Sequence, residues 1–446
     1  MRTVHSAHST PLEEPVVEAD QLRRATLASS IGSALEYYDF YIFGLATALI
    51  FGPLFFEPFG DAKVIASFAT FGVAYVARPL GGIIFGYIGD RYGRKAVLLS
   101  TVALMGGASF VIGLLPTYDA IGPLAPILLV ALRILQGLGA GAEQAGATTL
   151  ISEFAPAKRR GFFAALPFVG IQIGTLLGAG TFALLGMVDK EALTGWVWRL
   201  PFLASFILII VAVVIRLKLK ETPVFREMAA HQVVVKNPVG VVWRTSRWNI
   251  LKGIGIRMAE NGNSSLYSAV TVSFLGGIAA FKGNSSLGPT ALLVAAGFAA
   301  VMVVFFGWLS DRVGRVPVYK WGALFQAVVA VPAFYLMTLG QAWLVIVVVV
   351  VGVALGVQSM LGPQCALLPE LFGSTHRFTG VALSREISAM LASGLVPVLV
   401  ASLLAATGNS WLVMAIASLV LSLISFGTTF LLPETAGRDL RSTDDA

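Results

Sequence analysis

Apolar runs of about 20 residues recur from one end of this sequence to the other. A hydrocarbon core about 30 Å thick demands a helix of about that length. In lipid each backbone amide must find its partner within the protein, so only helices and closed barrels cross a bilayer. These runs are longer than barrel strands and do not alternate polar with apolar residues, so they read as helices. Charged residues make up 12% of the chain, against roughly a quarter in soluble domains. That deficit excludes a water-exposed globule and leaves an all-α integral membrane protein.

Twelve spans are expected, near residues 27–51, 64–88, 96–115, 123–152, 162–186, 197–217, 250–280, 288–309, 318–339, 343–368, 378–406 and 411–431. The spans at 123–152 and 250–280 are long enough to tilt or to contain irregular turns. The formal net charge of +7 sits largely in short connections, where Lys and Arg set orientation rather than bind nucleic acid. One set of loops carries Arg91, Arg94, Lys95, Lys158, Arg159, Arg160, Arg312, Arg315 and Arg377, and the alternate set little beyond Lys63, Lys190 and Lys282. The first set is expected to be cytoplasmic, with both termini, in an inner membrane. The expected organisation is a tail at 1–26, a six-helix bundle at 27–217, a linker at 218–249, a second six-helix bundle at 250–432 and a tail at 433–446.

The two bundles carry repeated patterns. Gly86-x-x-x-Asp90-Arg91-x-Gly93-Arg94 returns as Gly307-x-x-x-Asp311-Arg312-x-Gly314-Arg315. Glu153 with Arg160 has a counterpart in Glu370 with Arg377, and Glu221-Thr222 in Glu434-Thr435. Gly86 and Gly307 allow two helices to approach closely. Asp90, Arg91, Arg94, Asp311, Arg312 and Arg315 are placed to pair with one another and with helix ends. Such loops can latch in one conformation and release in another, or they can simply set topology.

These loops, with Arg133-x-x-Gln136-Gly137-x-Gly139-x-Gly141, resemble the signatures of the major facilitator superfamily. Finer matches are Gly32-Ser-Ala-Leu-Glu36-Tyr37-Tyr38-Asp39, Ala77-Arg78-Pro79-Leu80-Gly81-Gly82, Leu368-Pro369-Glu370-Leu371-Phe372 and Pro433-Glu434-Thr435. They resemble the metabolite–proton symporter family, which includes shikimate, α-ketoglutarate and citrate permeases and proline/betaine transporters. The resemblance covers about residues 25–437. It implies two pseudo-symmetric six-helix bundles and proton-driven uptake of a small carboxylate or zwitterion. Gln144-Ala145-Gly146 and Ser384-Arg385-Glu386-Ile387-Ser388 depart from the family's pattern and bear on the substrate.

Ionisable groups at bilayer depth cost at least about 2.5–3.5 kcal/mol on insertion scales, so they are paired or functional. Glu36 and Asp39 are three residues apart in the first span, where mutual repulsion and desolvation suit a proton carrier. Arg133 can bind a substrate carboxylate with its planar fork or form a permanent pair. Glu143 can relay a proton or pair at a gate. Arg257, Glu260 and Asn261 can pair along their own helix. Arg385 reads as a second cationic anchor or a snorkelling residue, with Glu386 beside it as a further proton-coupling candidate. Arg78 reads as a snorkelling or gate-packing residue near the end of the second span. Tyr37, Tyr41, Gln144, Gln172 and Gln358 are uncharged candidates for hydrogen-bonding a solute. The sequence has neither a nucleotide-binding Gly-x-x-x-x-Gly-Lys loop nor a metal-ligand cluster. The expectation is therefore a monomeric alternating-access symporter, not an enzyme, driven by the proton gradient without a cofactor. A compatible-solute symporter, a proton-antiport exporter and a non-transporting receptor are the alternatives.

Overall fold

The computed structural model describes residues 19–92, 94–141, 148–149, 151–153, 155–217, 238–374, 376–440 and 442–446. Its regular elements are all helices among the described residues. Eight helical segments are long and apolar enough to cross a membrane, and three shorter apolar ones join them. The twelfth segment, residues 247–276, is as long as the others but is diluted by Arg257, Glu260, Asn261 and Asn263. Its polar residues mark it as a helix that faces protein rather than lipid.

We number the spans α1 (Ala19–Ala46, extended through Thr47–Phe51 and Gly52–Phe55), α2 (Lys63–Tyr92) and α3 (Arg94–Leu114). Next come α4 (Leu124–Ala140), α5 (Arg160–Leu185) and α6 (Leu200–Leu217). The second half comprises α7 (Arg247–Ser265, extended through Leu266–Val270 and Thr271–Gly276), α8 (Leu287–Val313) and α9 (Arg315–Met337). It ends with α10 (Ala342–Glu370), α11 (Arg377–Ala406) and α12 (Trp411–Thr429). The span α7 starts inside the stretch expected as a linker, of which residues 218–237 lie outside the described residues.

The packing repeats with a shift of six helices. In the first half α1 packs on α5, α2 on α4 and α3 on α6; in the second α7 packs on α11, α8 on α10 and α9 on α12. Glycine makes the closest of these approaches possible. A Cβ at Gly170 of α5 would collide with the backbone of Ser30 in α1, and one at Gly137 of α4 with that of Ala74 in α2. Outward positions remain apolar, as at Ile207, Phe298, Val301 and Val328, each more than half exposed. Such a surface suits acyl chains rather than water.

The halves meet along two symmetry-related seams, α5 against α8 and α2 against α11. Among the described residues, four spans carry a π-helical stretch: Thr47–Phe51, Leu266–Val270, Val351–Val357 and Met390–Leu395. In α7 the irregularity falls at Ser268, with φ −97° and ψ −108°. The polar stretch Asn261-Gly262-Asn263-Ser264-Ser265 remains α-helical, and the backbone gives way just beyond it.

Candidate substrate and coupling site

Each end of the bundle is closed by a different kind of chemistry. On the face where α1 begins, here called the basic face, the duplicated Glu and Arg exchange partners between halves. Arg160 at the start of α5 donates to Glu370 at the end of α10 at 2.8 Å. Arg377 at the start of α11 donates to Glu153 at 2.9 Å. Glu370 is fully buried and also accepts from Arg315 Nε at 3.3 Å and Thr435 Oγ1 at 2.8 Å. Asp311 is the second closure element. Its carboxylate accepts the backbone N–H groups of Gly161 and Phe162, both at 2.8 Å, capping the start of α5 from the other half. Arg315 holds the same carboxylate at 2.6 Å. Gly307 packs its backbone against Gly161, and Arg312 lies 4.2 Å from the Trp308 ring centre. So Gly307, Asp311 and Arg315 of the second loop lie at the seam between halves, while Arg312 faces away. In the first loop, Gly86, Asp90 and Arg91 fall within α2 and Arg94 opens α3, but their side chains lie outside the described residues.

On the far face the closure is apolar. The π stretch Thr47–Phe51 of α1 touches Leu266–Val270 of α7. One buried cluster there includes Phe51, Phe55, Leu266 and Val270.

Between the closures lies a cavity of about 60 Å³ at the junction of α1, α2, α5, α7, α10 and α11. Its charged lining is Glu36, Arg78, Arg257, Glu260, Arg385 and Glu386. Tyr37, Tyr41, Gln172 and Gln358 also line it, which brings together most of the residues singled out from sequence. Gln358 is 2% exposed, and its Oε1 accepts no hydrogen bond from the described residues. A buried acceptor in that state favours a ligand that donates to it.

Arg78 joins the halves. It donates to Glu36 of α1 and lies 3.4 Å from Glu386 of α11. Its guanidinium rests 4.7 Å from the Phe40 ring centre. The helix α2 continues to Tyr92, so Arg78 lies at its middle and is 5% exposed. This differs from the expected snorkelling position at the end of the span. Arg257 pairs with Glu260 at 3.5 Å within α7, as the spacing suggested, and donates to Ser388 of α11 and to Asn261. Arg385 stacks 5.5 Å from the Phe168 ring centre of α5.

Two candidates occupy a different place. Arg133 is fully buried within the first half, among the rings of Phe40, Phe43 and Phe71, and donates to Gln136 at 2.9 Å. Asp39 accepts from Ser205 of α6 at 2.8 Å and faces Val102, Met105 and Ile209. Neither lines the central cavity. A helix places Glu36 and Asp39 on overlapping but distinct arcs, and here the cavity takes Glu36 alone. Glu143 and Gln144 lie outside the described residues.

Known proteins share both the sequence and the shape. The profile of the family described as "Sugar (and other) transporter" matches residues 25–233 and again 226–446. The chain is 32% identical to the shikimate transporter of Escherichia coli (strain K12) over 437 residues, 96% of this chain and 98% of that one. It is 31% identical to the proline/betaine transporter of the same organism over 449 residues, 97% of this chain and 87% of the other. A solved major facilitator superfamily proton:xylose symporter superposes with a TM-score of 0.72 at 19% identity, over 96% of this chain and 99% of that one. The paired bundles, the two seams and the matches along both halves agree: this chain is a multi-pass membrane transporter and belongs to the sugar (and other) transporter family of the major facilitator superfamily.

Proposed function

We propose that the protein is a proton-coupled symporter that takes up a small organic acid or zwitterionic metabolite across the inner membrane, with both termini cytoplasmic and the monomer as the working unit. The observation that carries this reading is the central cavity, among whose described lining residues are three arginines and three glutamates. Arg385 and Arg78 offer planar forks to a carboxylate. Gln358 Oε1 offers an acceptor to a hydroxyl or ammonium group. Tyr37, Tyr41 and Gln172 add donors along the wall. Glu36, Glu260 and Glu386 are the described carboxylates that line the cavity, which favours them over Asp39 as proton acceptors. The proton gradient is the energy source, and no cofactor is required.

The relatives support the substrate class, since one is named a shikimate transporter and another a proline/betaine transporter. A quaternary ammonium is the second reading, because Phe40, Phe71 and Tyr75 line the same cavity and can face a cation. The basic-face ion pairs and the far-face apolar contact are the two gates, broken alternately.

The test is uptake into proteoliposomes, with shikimate, dicarboxylates, betaine and proline as labelled probes and an imposed pH gradient. Accumulation above equilibrium only with acid outside is expected for the true substrate. Arg385→Gln should raise KM for a carboxylate by a larger factor than for an uncharged solute. Uptake that merely equilibrates, with or without the gradient, defeats the coupling proposal.

A further inference from the structure

Among the described residues lining the cavity, guanidinium groups and carboxylates are equal in number: Arg78, Arg257 and Arg385 against Glu36, Glu260 and Glu386. Each is at most 5% exposed. They come from α1 and α2 of one half and from α7 and α11 of the other, and the two sets touch where Arg78 approaches Glu386. The other two walls, α5 and α10, present Gln172 and Gln358, which carry no charge. Tyr37, Tyr41 and Tyr75 complete the ionisable groups in the cavity and are neutral phenols at physiological pH.

We infer that this balance is itself the coupling rule: the halves close only over a chamber whose total charge is zero. An open chamber is wetted, and water screens a spare charge. A closed one is dry and of low polarisability, so a spare charge weighs against closure. Summed over its described lining residues, the empty chamber is neutral. A monoanion alone leaves one negative charge, and a proton alone on Glu36, Glu260 or Glu386 leaves one positive charge. A monoanion with one proton is neutral again. Closure is then available to the empty carrier and to the fully loaded one, and denied to either partial load, which is what obligatory symport requires. The inference rests on the proposed symport and narrows it. Under this rule a monocarboxylate travels with one proton and a dianion with two, so the charge balance selects the organic-acid branch of the proposed function over the zwitterionic one.

The prediction can be tested without a substrate, so its failure is separable from a failure of the uptake experiment. In a Cys365→Ser background, spin labels at Phe59→Cys and Thr407→Cys read the separation of the halves on the far face. Both positions are exposed, in the connections after α1 and α11. A second pair, Arg159→Cys with Phe378→Cys, reads the basic face. The balanced parent should show short distances in both pairs. Glu386→Gln and Arg385→Gln, each leaving one net charge, should populate a long distance in one pair, with the open-to-closed ratio raised on the order of tenfold or more. The double variant Glu386→Gln/Arg385→Gln restores neutrality and should return to short distances, although it lacks the charged contact with Arg78. The pair Arg257→Gln and Glu260→Gln supplies a second set, singly and combined. Single variants that keep the parent distribution overturn the inference. So does a compensated double that stays as open as its singles, since a lost ion pair would then explain the change.

Discussion

Glu370→Gln isolates the strength of the basic-face gate. The carboxylate is fully buried and shared between Arg160 of the first half and Arg315 of the second. When the face opens, Arg315 and Thr435 travel with Glu370, because all three belong to the second half. Only the Arg160 contact, at 2.8 Å, is confined to the closed state. A hydrogen bond to a charged group contributes roughly 1.5–3 kcal/mol. Losing it should shift the equilibrium toward the open basic face by about 10- to 150-fold, at a factor of ten per 1.4 kcal/mol. The chain carries its own reporter, since Cys365 is its single cysteine and is 1% exposed. It clusters with Ala164, Ala165 and Phe168 of α5 across the seam. Opening should uncover it, so its alkylation by N-ethylmaleimide should quicken by a similar factor. Thermal unfolding followed on the same sample separates gating from general loss of structure. An unchanged alkylation rate in a folded Glu370→Gln protein would refute the assignment of Arg160–Glu370 as a gate contact.

Asp311→Asn should open the same face, because the amide can no longer accept two N–H groups of α5 and the Arg315 guanidinium as an anion; Cys365 alkylation again measures it, with an expected gain of at least about tenfold. Gly161→Ala should also disfavour closure, since its Cβ would meet the Gly307 carbonyl and the Arg315 guanidinium; overpacking of this kind costs about 1–3 kcal/mol and should appear as a lowered Tm together with faster alkylation. Residues 442–446 pack against residues 371–374 and 376, where Asp445 accepts from the Gly373 N–H at 3.0 Å and lies 2.7 Å from His376 Nε2, and this contact has its own pH dependence. Burial pushes this carboxyl up, but hydrogen bonds from Ser246, the Gly373 N–H and His376 outweigh burial and hold it below the ordinary range. A depressed carboxyl stabilises docking above its unfolded value of about 3.9 and loses that contribution as pH falls through the folded value. The protection factors of the Ser374 and Ala446 amides, which bond across this contact, measured against the intrinsic exchange rate at each pH, should therefore keep this contribution from about pH 8 to 5 and lose it only below about pH 4.

Length and apolarity made the spans legible, and repetition made the two halves legible. Glu370 and Arg377 were visible as copies of Glu153 and Arg160, yet nothing in one dimension says that each acid takes the other copy's base. That exchange depends on how the halves face each other. The cavity was partly legible: an ionisable residue at bilayer depth marks a protein-facing helix, and Glu36 lines the chamber; for Arg385 and Glu386 the sequence left open which of the two faces it, and both do. Arg78 was obscured because its position in the helix depends on where α2 stops, and Tyr92 lies beyond the apolar stretch. The separation of Asp39 from Glu36 turns on helix rotation. A spacing of three residues leaves that undecided when one side meets a chamber and the other meets α6.

The crossed pairing of Arg160 with Glu370 and of Arg377 with Glu153 makes the basic-face contact isologous, like the interface of a two-fold dimer. Each half offers one acid and one base to its symmetry-related counterpart, so a single ancestral patch, docked on a copy of itself, supplies both bonds. A change in one half of the duplicated patch therefore unbalances one bond and spares the other. The two bonds can drift apart in strength, giving a gate whose edges yield in sequence instead of together.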